Sequence, residues 1–212
     1  LIKEIEEEEE IVDKYEDKIG TYLVKLNSHN LSEVDSRISA QILHLIGDFE
    51  RVSDHAINLV KSAQEINDKK VVFSEEAQRE LAIMIEAINE ICQMTLRCYR
   101  ENNLTLARNV EPLEQVVDVL KEQLKHHHIR RLGRGDCTIE TGFVLNYIIT
   151  NLERVSDHCS NIAGCIIELS HSSLGVHKYL GNVKSYDQSF RNKYEEYLEK
   201  YPSIEITIDV HR

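Results

Sequence analysis

The residues of this chain whose types and spacing could do chemistry are carboxylates in pairs. Glu50-Arg51-Val52-Ser53-Asp54-His55 returns in the same order at Glu153-Arg154-Val155-Ser156-Asp157-His158, and an asparagine, Asn58 or Asn161, stands eight positions after each glutamate. On an α-helix a Glu and an Asp four residues apart lie on one face, one turn from each other. Two more pairs have that spacing, Glu9 with Asp13 and Glu114 with Asp118. Glu9 precedes Glu114 by 105 residues and Glu50 precedes Glu153 by 103, so the four pairs correspond in two halves whose loops differ by two residues.

All eight side chains are oxygen donors, which suit hard cations: iron, manganese or magnesium, with zinc also served by carboxylates. Gathered without a cation, they would raise one another's pKa values and oppose folding. A metal centre resolves that conflict, and so does exposure to water. On a solvated face, Arg51 and Arg154 would supply local salt bridges worth only about a few tenths of a kcal/mol. One pair alone favours the solvated face; four pairs at matching positions of a duplicated chain favour metal. His55 and His158 directly follow the aspartates and read as donors that orient ligand carboxylates, ahead of direct ligation or a satisfied buried imidazole. The sequence contains no Ser-His-Asp arrangement, P-loop or dinucleotide fingerprint.

The elements that must position these groups are long helices. Ile5, Val12, Ile19 and Leu26 repeat every seven residues with Tyr15 and Tyr22 beside them, predicting an amphipathic helix from Leu1 to about Leu26. Its Glu6 to Glu10 run reads mostly as solvated charge near a helix start, with the pair Glu9 and Asp13, near Glu16, set apart as a partner for Glu50 and Asp54. Asn27 to Asn30 breaks the helix, and Ser32 is the predicted N-cap of the next, with Glu33 and Asp35 in its first turn. The stripe Ile38, Ile42, Leu45, Phe49, Val52, Ala56, Leu59, Ala63 carries that helix to about Ile66, placing Glu50 and Asp54 near its middle. A short loop folds the first helix back antiparallel to it, so that two pairs face each other.

Ser74 opens a third helix running to about Glu101, with Leu81, Met84, Ile85, Ile88 and Ile91 on its buried side. A fourth carries Leu106, Val110, Leu113, Val117, Leu120 and Leu124 around Glu114 and Asp118, and Pro112 either bends it or marks a new start. His126, His127 and His128 are expected to close it, followed by Arg130, Arg131, Gly133 and Gly135 as a stop signal. Consecutive histidines on a helix point about 100° apart and do not converge on one ion. The fifth helix begins near Thr138 or Ile139 and repeats the second, with Val144, Ile148, Leu152, Val155, Cys159, Ile162 and Ile166 as its stripe. Ser170 to Gly181 reads as a loop, Ser185 to Tyr201 as a last helix ended by Pro202, and Ile204 to Val210 as a strand-like alternation.

The fold class is therefore all-α: duplicated antiparallel helix bundles, with a first repeat over 1–69, a second over 70–170, and a C-terminal helix and tail over 171–212. The second repeat has a helix before its first pair and the first repeat has none, so the missing helix lies upstream or the last helix fills its place. The net charge of −12 argues against nucleic acid and against anionic lipid. Five cysteines without Cys-x-x-Cys spacing fit buried thiols in a reducing cytoplasm. No apolar run approaches the roughly 20 residues that span a bilayer. The chain begins at Leu1 already in helical register, as a fragment of a longer protein would, or one lacking its first residues.

These residues resemble a known family. ERVSDHAINL and ERVSDHCSNI are similar to the ERIGDxxxNI-type signature of the PhoU family, duplicated three-helix bundles with an E(D)xxxD motif on two helices of each repeat. The resemblance covers about Leu1 to Leu169. LEQVVD (Leu113 to Asp118), HIRRLGRGDC (His128 to Cys137) and NLERVSDHCSNIA (Asn151 to Ala163) resemble the branch fused behind the membrane domain of bacterial sodium/phosphate cotransporters. The resemblance implies a non-enzymatic cytoplasmic module regulating phosphate transport, tethered to the inner face of the membrane through a transporter domain of the same parent chain, with a homodimer as a further assembly. It also implies metal at Glu9, Asp13, Glu50, Asp54, Glu114, Asp118, Glu153 and Asp157, as an iron or zinc cluster with manganese or magnesium as alternatives. Ser53 and Ser156 depart from the family's usual Gly. Two other readings compete: a helical adaptor whose acidic faces bind a basic partner, and a dinuclear-metal carboxylate enzyme. The latter is disfavoured because no Glu-x-x-His motif occupies the matching helices.

Overall fold

The computed structural model describes residues 2–171 and 188–202, and every regular element in them is helical. In chain order these are α1 (Ile2–Asn27), α2 (Glu33–Lys69), α3 (Glu75–Glu101), the single turn α4 (Leu104–Ala107), α5 (Val110–Arg134), α6 (Ile139–His171) and α7 (Gln188–Lys200). The starts follow local chemistry. Ser32 and Ser74 cap α2 and α3, their hydroxyls accepting from the backbone N–H of Asp35 and Ala77. Pro112 occupies the first turn of α5, where a missing N–H leaves no hydrogen bond broken, so it marks a new start rather than a bend. At 37 residues, α2 is about 55 Å long.

Two expectations are corrected. The histidines do not close the fourth predicted helix: α5 runs through them to Arg134 and ends at Gly135, whose φ of 80° supplies the left-handed cap. Tertiary contacts hold the extra turns in place. His127 Nδ1 meets Glu80 Oε1 of α3 at 2.5 Å, and the buried Arg131 donates to Glu80 Oε2 at 2.8 Å. The last helix does not complete the first half either. It packs against α5, with Tyr197 in the core, and Lys200 and Tyr201 both reach Glu90 of α3. The expected Ser170–Gly181 loop, from residue 172 on, and the strand-like Ile204 to Val210 lie outside the described residues, whereas Ser170 and His171 still belong to α6.

The core lies in the second half, where Met84 and Ile91 of α3, Leu113, Val117 and Leu124 of α5, and Leu145, Ile149 and Ile162 of α6 are almost fully buried. The first half is thinner. α1 packs on α2 and buries only Leu23 fully, leaving Tyr15 and Tyr22 61% and 65% exposed. α2 and α6 join the halves, and their contact is nearly symmetric. His55 Nδ1 donates to Asn151 Oδ1 at 2.8 Å, while His158 Nδ1 donates to Asp48 Oδ1 at 2.9 Å. Asp48 and Asn151 are themselves 103 residues apart, the spacing of the repeated motif. The two imidazoles stack with centroids 5.6 Å apart.

Candidate metal centres

α1 lies along α2, and α5 along α6, so each pair of carboxylates meets a partner from the facing helix. In the first half, Glu9, Asp13 and Asp54 bring one carboxylate oxygen each to within 4.8 Å of one another; in the second, Glu114, Asp118 and Asp157 do the same. Corresponding positions of the duplicated sequence thus converge twice. Oxygens at such separations and of this single donor type fit a hard cation, whose ligands on opposite sides stand about 4–5 Å apart.

The electrostatics carry the strain of that convergence. Burial, then the charges of Asp13 and Asp54, raise the Glu9 carboxyl above its ordinary value, with Lys61 opposing. Glu50 is also raised, by burial first and then by Asp54, Asp13 and Glu16, so it belongs to the same field although it is not one of the three converging ligands. Asp157 is raised by burial and Glu153 and lowered in part by Arg154, His158 and a hydrogen bond with Glu114.

Glu153 is placed differently from the rest. Lys121 Nζ of α5 approaches its Oε1 at 2.8 Å, both side chains being mostly buried at 14% and 13% exposure. Arg154 adds an ion pair to Asp157 at 3.4 Å. Of the eight candidate ligands, six converge in two triads; Glu50 stands beside the first and Glu153 is held by Lys121. Contrary to the expectation from sequence, the histidines following the aspartates do not donate to these carboxylates. Adjacent residues on a helix point about 100° apart, so with Asp54 and Asp157 facing their centres, His55 and His158 face the α2–α6 interface, as satisfied imidazoles.

Sequence reasoning missed Lys121, Asp48 and Asn151. The signal for Lys121 was present: it stands seven residues after Glu114 on the same helical face, and the equivalent position in the first half is Glu16.

The family model for the PhoU domain matches residues 1–63 and 81–166. The chain is 24% identical over 144 residues to a phosphate-specific transport system accessory protein, PhoU homolog 1 of Thermotoga maritima, a match covering 68% of this chain and 61% of that protein. It is 22% identical over 166 residues to YjbB of Escherichia coli, described as a candidate inorganic phosphate export protein, covering 76% of this chain and 30% of that one. The chain thus spans about three fifths of the length of the accessory proteins it matches. The crystal structure of PhoU from Pseudomonas aeruginosa superposes with a TM-score of 0.72 at 19% identity, covering 81% of this chain and 82% of that one. PhoU from Streptococcus pneumoniae gives 0.67 at 18% identity, covering 82% and 81%. These likenesses establish the helical fold.

Proposed function

The chain belongs to the PhoU family, and from that membership we propose that it is a non-enzymatic, metal-binding regulatory domain of phosphate transport. The observation that carries the reading is the double convergence of Glu9, Asp13 and Asp54 and of Glu114, Asp118 and Asp157, in a chain whose relatives include phosphate-specific transport accessory proteins. Those six residues hold the cations, with Glu50 and Glu153 one turn away. Bound cations, iron or zinc first and manganese or magnesium as alternatives, would offset the negative charge that these carboxylates bring together.

The chain's own contribution is positional. Each centre ties one helix to its neighbour, α1 to α2 and α5 to α6, and α2 and α6 meet through His55 and His158. A change at either centre therefore bears on the helices that join the two halves. We assign the output to a membrane transport domain of the same parent chain, at the cytoplasmic face. In support, most of this chain matches a segment making up 30% of the candidate export protein.

The test is elemental analysis of the tag-free protein, parent against Asp54→Asn/Asp157→Asn, followed by phosphate flux in cells carrying each form. Stoichiometric metal in the parent, its loss in the variant and altered flux are expected. A parent that takes up no metal after reconstitution with iron, zinc and manganese refutes the metal reading, and unchanged flux in the metal-free variant refutes the regulatory one.

A further inference from the structure

The two centres match in four carboxylates and differ in the fifth position of the face. In the first half α1 presents Glu16, whose charge acts on Glu50. In the second, α5 presents Lys121 at the equivalent place, in 2.8 Å contact with Glu153. The first centre therefore has three converging carboxylates, Glu9, Asp13 and Asp54, with Glu50 beside them and the charge of Glu16 acting on Glu50. Lys61, whose charge opposes the shift of Glu9, is exposed. The second centre has its converging triad, Glu114, Asp118 and Asp157, and beside it Glu153 paired with a lysine that is itself largely buried. Arg154 reaches Asp157 there as well.

An ammonium held at 2.8 Å from a carboxylate at low exposure has given up most of its hydration, and its attraction to Glu153 is screened little. An incoming cation that recruits Glu153 must first displace it. We propose that Lys121 is the resident counter-cation of the second centre, so that the two centres fill in order: the first takes an external cation with Glu16 beside it, the second against the fixed positive charge of Lys121, which must be displaced before Glu153 can become a ligand. This inference rests on the metal reading above and assigns to Lys121 and Glu16 the difference between two otherwise matching sites.

The experiment is calorimetric titration of the full chain with Mn²⁺, with thermal midpoints in chelator as a readout that needs no metal. The parent is expected to show a tight and a weak class. Lys121→Gln should tighten the weak class at least tenfold and leave the tight one in place. Lys121→Arg should preserve both classes, and the swap Glu16→Lys/Lys121→Glu should reverse which half binds first, read by adding Asp54→Asn or Asp157→Asn. In chelator, Lys121→Gln should lower the midpoint by about 5–10 °C, because Glu153 is left with only Arg154, 4.0 Å away; Mn²⁺ should then raise it more than it raises the parent. Two Mn²⁺ classes unaltered by Lys121→Gln, or an unaltered midpoint in chelator, overturn the role of Lys121 while leaving the metal reading standing. Absence of Mn²⁺ from every variant overturns both.

Discussion

Replacing Asp157 by Asn should change the protein in opposite directions with and without metal. Asp157 shares the second centre with Glu114 and Asp118, their oxygens all within 4.8 Å. Two unit charges at that distance repel by about 0.9 kcal/mol in water and about 3.5 kcal/mol at the effective dielectric of a protein site. Arg154 and Lys121 offset part of this, leaving about 1–2 kcal/mol of net destabilisation from ionised Asp157 in the metal-free protein. Asp157→Asn should therefore raise the midpoint in chelator at pH 7 by roughly 3–6 °C for a chain of this size. The sign with pH follows from the raised carboxyl. A folded-state pKa above the unfolded value contributes stability that is complete below the unfolded value, near 3.8, and is lost as pH rises through the folded one. The advantage of the amide should accordingly vanish toward pH 4 and grow above it. With Mn²⁺ the order reverses, since the parent gains a metal contact that the variant lacks. The assay is thermal unfolding followed by circular dichroism at pH 4 and pH 7, in chelator and in Mn²⁺. A variant less stable than the parent in chelator at pH 7, or a difference independent of pH, would refute the claim that repulsion dominates this site.

Other perturbations separate packing from the centres. Arg131→Met should cost about 3–5 kcal/mol in chemical denaturation by leaving the buried Glu80 carboxylate facing only His127, and adding Glu80→Gln should recover a large part of it. Gly142→Ala places a methyl 2.2 Å from His128 Nε2, so the ring must rotate; a loss of about 1–3 kcal/mol is expected, relieved by adding His128→Ala. The same rotation removes the imidazole that lies 3.6 Å from Cys137 Sγ, so Cys137 should label faster with a thiol reagent, and an unchanged labelling rate would sink the argument. Ser74→Ala should cost about 1 kcal/mol by leaving the Ala77 N–H without its cap, measurable as a shift of the denaturation midpoint at constant slope.

Much of the fold was legible because its boundaries are set by local chemistry. Ser32, Ser74 and Pro112 act within one turn of themselves, and the sequence locates them to within a residue or two. The errors arose where a distant partner decides. The run His126–His128 looks like a stop signal when read with the arginines and glycines beside it, but Glu80, 47 residues before His127, makes the next two turns worth keeping. The polar last helix reveals that it has a buried face, marked by Phe190 and Tyr197, and nothing local says which half that face meets. The carboxylate pairs were readable because helical periodicity and duplication are both sequence properties. The direction of the histidines was in principle readable too, since a residue next to an inward-facing aspartate points away from it.

The placement of those histidines ties the centres to the joint between the halves. Asp54 and His55 are consecutive, as are Asp157 and His158, so a turn of α2 that draws Asp54 toward a cation also turns His55 against Asn151, and the same holds for α6 with Asp48. The joint is not wholly symmetric: Asp48 accepts from both His158 and Asn161, whereas Asn151, a neutral amide, accepts from His55 and donates to the Tyr147 carbonyl. The side of the joint governed by the second centre therefore contains a charge that the other lacks. α1, having α2 as its main neighbour and little core of its own, can report the state of the first centre to the rest of the molecule chiefly through α2. The thin half holds the more acidic centre and the well-packed half the one with its own lysine, which is the arrangement expected if one half answers to external cation and the other supplies a fixed frame.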